Sequence, residues 1–307
     1  VFARLGITAD NLRCEYLVNP NALETRQPRF SWQLLSSRRG QRQAAYQILV
    51  ASSPELLRQN EGDLWDSGQV RSDQNQQVAY QGKPLTAGYH YVWKVRVWNQ
   101  PGDDGRYAVK AYNDPATLAA LRVERVSPYS PSASFGIGIV DPQPTPDQHQ
   151  ETGDVKWQAQ WIAAADPAIS APLLRQEITL QQPVKRVTAY AAGVGYFELY
   201  INGHKAGDHV LDPGTTYYHH DQDFPLRSRV LYVAHDVTHL WQDTANAVGI
   251  VLGNGWYSAE SDIPGSPHHR QPYADRPCVR LQLEFEMSDG SKQRIGTDTS
   301  WKTSAGP

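Results

Sequence analysis

Residues 88–99 read GYHYVWKVRVWN, and their alternation decides the fold of the first half of the chain. In an extended strand, Tyr91, Trp93, Val95 and Val97 project to one side, and Lys94 and Arg96 project to the other. One apolar face and one charged face is the signature of an antiparallel sheet packed on one side. Upstream, AYQILVASS (45–53) repeats the pattern, with Tyr46, Ile48 and Val50 on one face and Gln47 and Leu49 on the other. QPRFSW (27–32) enters a further strand at Phe30-Ser31-Trp32, and DLWDSGQV (63–70) turns at Ser67-Gly68. Residues 1–30, interrupted by Pro20 and Pro28, read as an extended lead-in. Short strands separated by turn residues, without a helical period, predict a small β-sandwich. DPATLAALRVERV (114–126) is the one stretch with helical character, Asp114 serving as N-cap and Pro115 as first residue.

The segments SPYSPSASFG (127–136) and DPQPTPDQHQETGD (141–154) are rich in Pro, Ser, Asp and Gln and read as linker, with a strand from Phe135 to Val140 between them. A second run of strands begins near WQAQWI (157–162). It includes LLRQEITL, VKRVTAYAAG, GYFELYING, RVLYVAHDVT, NAVGIVLGNGWY, CVRLQLEFEM and KQRIGTD. Asn202-Gly203 and Asp289-Gly290 mark tight turns, the latter a hairpin signal. Seven or eight antiparallel strands with long connections fit a jelly roll. The expected organisation is therefore all-β: a sandwich over 1–145, a linker over 146–156, and a jelly-roll β-sandwich over 157–307.

Composition narrows the function. Hydrophobic residues make up 40% of the chain and charged residues 20%, enough for packed cores. The net charge of −3 argues against a nucleic-acid footprint, which needs a basic face. Arg38, Arg39 and Arg42 read as a solvated loop. No apolar run approaches the roughly 20 residues of a membrane helix, so no membrane partner is expected. Cys14 and Cys278 are too few for a disulfide framework and read as free thiols. Val1 opens no recognisable secretory leader, and localisation stays open between cytoplasm and a secreted or periplasmic protein whose leader has been removed.

Catalytic motifs are absent. There is no G-x-S-x-G, no G-x-G-x-x-G after a strand and no phosphate-binding loop. GVG (193–195) and GNG (253–255) read as turn glycines. Glycoside hydrolysis needs two carboxylates across the scissile bond, and the scattered acids here cannot be paired from sequence; Glu198 reads as a residue on the wet face of a strand. The doublets His219-His220 and His268-His269 each point to opposite faces of a strand and make poor zinc chelators. Asp208, Asp212, Asp221 and Asp223 lie in or beside one long loop whose oxygens would suit calcium, without EF-hand spacing; a solvated acidic loop accounts for them equally. GNGWYS (253–258) brings an amide and two aromatic rings out of a strand end. That combination suits a sugar, the amide pairing with hydroxyls and the rings with C–H faces, or simply plugs the end of a sandwich.

The strings at 184–218 (VKRVTAYAAGVGYFELYINGHKAGDHVLDPGTTYY), 229–240 (RVLYVAHDVTHL) and 246–259 (NAVGIVLGNGWYSA) resemble the N-terminal jelly-roll domain of bacterial α-L-rhamnosidases. PRFSWQL (28–34), AYQILVASS, LWDSGQV and YVWKVRVWN resemble the fibronectin type III-like domain that precedes it, and WQAQWI the usual junction. The resemblance implies β-domains ahead of an (α/α)₆ barrel that hydrolyses terminal L-rhamnose with inversion, and this chain is read as stopping short of that barrel. It implies no catalytic residue here, so the chain alone is expected to be inactive. It implies a role in recognising L-rhamnose-containing glycans, with Asn202, Asp212, Asn254, Trp256 and Tyr257 as the binding edge and calcium as a helper of sugar binding in the related module. After LDPG the family's Thr-Asp-Tyr is here Thr216-Tyr217-Tyr218, one carboxylate fewer, and against the family's first domain residues 102–130 read as an insertion. A free-standing, lectin-like carbohydrate-binding module is the alternative.

Overall fold

The computed structural model describes residues 7–37, 40–99, 125–139, 156–169, 171–216, 230–255, 257 and 276–306. The chain divides into two compact units, Val1–Val155 and Lys156–Pro307.

In the first unit, strands β1 (Thr8–Cys14), β2 (Arg29–Leu35) and β5 (Val78–Ala79) form one antiparallel sheet in the order β1-β2-β5. Strands β3 (Gln43–Ala51), β4 (Trp65–Asp66), β6 (His90–Asn99) and β7 (Ala133–Gly136) form the other, in the order β4-β3-β6-β7. Phe30 and Trp32 from the first sheet and Ile48, Val50, Trp93 and Val95 from the second share one core. The Phe30 and Trp93 ring centroids lie 4.4 Å apart. Trp32 keeps its polar handle satisfied, donating to Gln43 Oε1 at 3.0 Å, while the Gln43 amide donates to the carbonyls of Ser72 and Gln74.

Three expectations need correction here. The lead-in contains a paired strand, β1, whose register with β2 slips between Asp10 and Arg13. The second face of β3 and β6 is not simply solvated. Leu49 and Ala51 pack with Leu57 of a short helix α1 (Pro54–Arg58). Lys94 is only 8% exposed; its ammonium donates to the carbonyl of Leu57 and to Asn60 Oδ1 and lies over the Tyr129 ring. The signal for α1 was legible: Ser53 accepts from the Leu56 amide as N-cap, with Pro54 next. The expected strand from Phe135 to Val140 is β7, starting at Ala133 and ending at Gly136, with Ile137 bridging Leu23. The expected helix at 114–126 lies outside the described residues except for Arg125 and Val126, and Val126 bridges Trp98 as extended chain. The expected linker 146–156 lies outside them up to residue 155.

The second unit has two facing sheets. One holds β12 (Tyr232–Asp236), β9 (Val184–Val194), β14 (Cys278–Met287) and β15 (Lys292–Gly296) in the order β12-β9-β14-β15. The other holds β11 (His204–Lys205), β10 (Tyr196–Ile201), β13 (Ala245–Gly253), β8 (Leu173–Thr179) and β16 (Lys302–Ser304) in the order β11-β10-β13-β8-β16. Phe197, Leu199 and Ile201 meet Val187, Ala189, Leu281, Leu283 and Phe285 in a common core. The alternation of β10 is as read, its Tyr196, Glu198 and Tyr200 side lying half-buried.

β14 departs from simple alternation, because Gln282 and Glu284 on its polar face are buried. The segment entering from Lys156 covers them. The Gln158 amide donates to Gln282 Oε1 at 2.6 Å, and Gln282 Nε2 donates to the Lys156 carbonyl and to Glu284 Oε1. The Arg280 guanidinium sits over the Trp157 ring, and Ile162 bridges Val279. Gly296 is required by this approach, since a Cβ there would stand 2.7 Å from Ala159 Cα. Glu284 also accepts from Arg294 Nε at 2.6 Å. Burial nevertheless dominates, raising the Glu284 carboxyl above its ordinary 4.5, with Arg294 opposing.

Two outcomes are expected. Gln282→Leu strands the Gln158 amide and the Lys156 carbonyl, so denaturant unfolding should show a loss of about 2–4 kcal/mol. Stability tied to Glu284 is full below its ordinary pKa and is lost as pH rises through the raised folded value. Glu284→Gln should therefore gain on the parent as pH climbs above 4.5, measured by unfolding midpoints across pH; a constant difference would contradict the assignment.

Candidate functional site

The register of β10 against β13 sorts the sequence-nominated residues. Tyr196 stands opposite Gly253 and Ile201 opposite Val248. Asp212 bridges Phe197 on the other edge of β10, its carbonyl accepting from the Phe197 amide at 2.8 Å. Asp212 and Leu252 thus flank Phe197 on either side, about 10 Å apart by two strand spacings. Asn254 follows directly after β13 at the same end, and Tyr257 three residues on; both are half-buried. Trp256 lies outside the described residues.

The turn that presents this edge depends on two glycines with left-handed backbones. A Cβ on Gly195 (φ +96°) would stand 2.5 Å from the Gly253 carbonyl, and one on Gly255 (φ +52°) would crowd the Tyr196 ring at 3.1 Å. The other two glycines read as turn residues, Gly193 and Gly253, belong instead to β9 and β13. Gly193 leaves room for the Phe197 ring, 2.7 Å from where its Cβ would be.

Asn202 lies at the opposite end of β10, about 16–20 Å along the strand from Asp212 and Tyr196. Its amide is spent internally: Nδ2 donates to the Leu240 carbonyl and to Asn246 Oδ1, and Oδ1 accepts from the Ala247 amide at 2.8 Å. With φ +50°, it forms the β10–β11 turn with Gly203 and pins the loop before β13. Glu198 accepts from Lys205 Nζ and from the Tyr200 hydroxyl, and that pairing holds its carboxyl below the usual range. It is a paired surface carboxylate.

Asp212 has neighbours that sequence reading did not bring to it. His209 Nδ1 lies 3.2 Å and His235 Nε2 3.6 Å from Asp212 Oδ2, and the two imidazole rings are 5.3 Å apart, edge to face. His209 is exposed, whereas burial pushes the His235 pKa down, against the pull of Asp212. The alternation of YVAHD put His235 on the same face as Val233; a histidine on an inward face was the available signal. For calcium, Asp221 and Asp223 lie outside the described residues. At the described part of the loop, the carboxylate of Asp212 is flanked by two nitrogens, a donor set that does not fit a hard, oxygen-seeking ion. The doublets His219-His220 and His268-His269 lie outside the described residues, and both cysteines are free.

Comparison with known proteins agrees with this architecture. Residues 9–114 match the family described as Rha78A-like, N-terminal immunoglobulin domain, and residues 182–307 match the alpha-L-rhamnosidase N-terminal domain. The fibronectin type III-like expectation and the immunoglobulin description share the sandwich architecture. An alpha-L-rhamnosidase of Formosa agariphila is 30% identical over 94% of this chain, and one of Alteromonas sp. (strain LOR) 29% identical over 95%. The solved structure of alpha-L-rhamnosidase from Dictyoglumus thermophilum superposes over 98% of this chain with a TM-score of 0.73 and 32% identity. The chain spans 29% and 28% of the length of the first two relatives and 30% of the third.

Asn202→Ala removes three side-chain hydrogen bonds and leaves an alanine with left-handed backbone. The second unit should lose about 2–4 kcal/mol in chemical unfolding, while ligand affinity at the Asp212–Asn254 end should be unchanged. A stable variant with weakened binding would reverse this assignment.

Proposed function

We propose that this chain, a tandem of the immunoglobulin-like and N-terminal domains of the α-L-rhamnosidase family, is a non-catalytic recognition and scaffold portion of a glycoside hydrolase that releases terminal α-L-rhamnose. The observation that supports the recognition half is the backbone pairing that sets Asp212 beside Phe197 and ends β13 at Gly253 opposite Tyr196, so that Asn254 and Tyr257 follow from the same end of β10. A carboxylate and an amide offer acceptors and donors to sugar hydroxyls, and a tyrosine ring offers an apolar face to the C–H side of a pyranose.

The scaffold half rests on how the charged groups are used. Glu284 is committed to Arg294, Glu198 to Lys205, Asp236 to Arg186 and Glu15 to Arg29. Inverting hydrolysis needs a protonated acid and a free base about 6.5–9.5 Å apart with water between them; carboxylates held in ion pairs are poorly suited to either task. The chain spans about 30% of the relatives' length, and the hydrolytic step is assigned to the rest of those proteins.

Calorimetric titration with L-rhamnose tests the reading. We expect weak saturable binding that falls about tenfold in Asn254→Ala and in Tyr257→Ala, each losing roughly 1.4 kcal/mol. An aryl α-L-rhamnoside should show no turnover with the chain. Absence of heat at millimolar sugar would remove the recognition role, and measurable hydrolysis would remove the non-catalytic one.

A further inference from the structure

We propose that His209, Asp212 and His235 form a binding site for a divalent transition ion of the zinc type that ties together the edges of the two sheets in the second unit. The site shares Asp212 with the sugar reading but does not rest on it, and its test contains no sugar.

The distances argue first. One potential ligand atom from each of the three residues falls within 4.8 Å of the others. A tetrahedral ion with bonds of about 2.1 Å separates its ligand atoms by about 3.4 Å. The contacts of Asp212 Oδ2 with His209 Nδ1 and His235 Nε2, 3.2 and 3.6 Å, bracket that value. The remaining separation, between the two imidazole nitrogens, is within 4.8 Å, and the exposed His209 side chain is the one placed to close it.

The donors argue second. Two imidazole nitrogens and one carboxylate oxygen suit zinc and its neighbours in the first transition row. Calcium takes six to eight oxygens, and magnesium keeps most of its waters. Three protein ligands leave a fourth position for water or a ligand atom.

The scaffold argues third. His235 belongs to β12, the edge strand of its sheet, and is held by pairing with Ala189 of β9. Asp212 runs along the edge of β10 in the opposite sheet, held by its bridge to Phe197. Two ligands are therefore fixed by different sheets before an ion arrives. Gly207 lets the loop pass close to the buried imidazole, because a Cβ there would stand 2.7 Å from His235 Nδ1. His209 supplies access: its side chain is 56% exposed, against 17% for Asp212 and 9% for His235. Two ligands are thus held by strand pairing and the third is open to solvent.

The test uses the full chain, freed of metal with a chelator and titrated with zinc. We expect one equivalent bound, a rise in thermal midpoint on loading, and visible absorption bands when cobalt replaces zinc. His209→Ala, an exposed substitution, should weaken zinc at least about tenfold while leaving the metal-free midpoint unchanged. His235→Gln should weaken it likewise, and the double variant His219→Ala/His220→Ala should bind as the parent does. The proposal is overturned by no zinc uptake at about 0.1 mM, by uptake indifferent to His209 and His235, by loss of uptake in the His219/His220 variant, or by calcium binding more tightly than zinc.

Discussion

The antiparallel register of β10 with β13 is the constraint on which the second unit turns. With Tyr196 opposite Gly253 and Ile201 opposite Val248, Phe197, Leu199 and Ile201 face the core, and Tyr196, Glu198 and Tyr200 face outward. A slip of one residue would exchange the two sets and bury a glutamate and two tyrosines in place of the apolar triplet. The same register decides which loop ends meet. It brings Asp212 beside the start of β10 and Asn254 just beyond the end of β13, and it sends Asn202 to the far end, where its amide closes a turn.

Burial of polar groups is the second organising theme. Lys94 in the first unit and Gln282 with Glu284 in the second sit on faces whose sequence pattern reads as solvated. Each is covered by a short neighbouring segment that satisfies it: α1 and Asn60 for Lys94, residues 156–160 and Arg294 for the Gln282–Glu284 pair. Because a buried polar group without a partner costs several times what its bond returns, these networks fix where the covering segments must lie. The His209–Asp212–His235 cluster follows the same logic at the edge of the sandwich, with polar groups from two sheets meeting where, among the described residues, neither sheet has another strand to offer.

Much of this was legible in the sequence, for identifiable reasons. Period-two alternation located β3, β6, β10 and β14, and Asn202-Gly203 and Asp289-Gly290 located their turns. β1 and β16 were missed because TADNLRC and KTS alternate weakly and owe their pairing to β2 and β8. The covered faces of β6 and β14 were missed because cover is supplied by distant segments that leave no mark on the strand's own pattern. Among the nominated residues, Asp212 and Asn254 stand near the same end of β10 by backbone pairing, and Trp256 lies outside the described residues. Asn202 sat in an equally suggestive string, but its contacts with Leu240, Asn246 and Ala247 depend on tertiary structure. His235 was passed over because a single histidine in a strand carries no spacing signal until the β10 edge brings Asp212 to it.

Amide chemical-shift mapping with isotopically labelled chain and L-rhamnose distinguishes the two ends of β10. Saturable shifts are expected only at the Tyr196–Phe197, Asp212 and Asn254–Tyr257 amides, with Asn202 and Ala247 at the other end of the strand unmoved. Shifts centred on the Asn202 turn, or in the first unit, would contradict it.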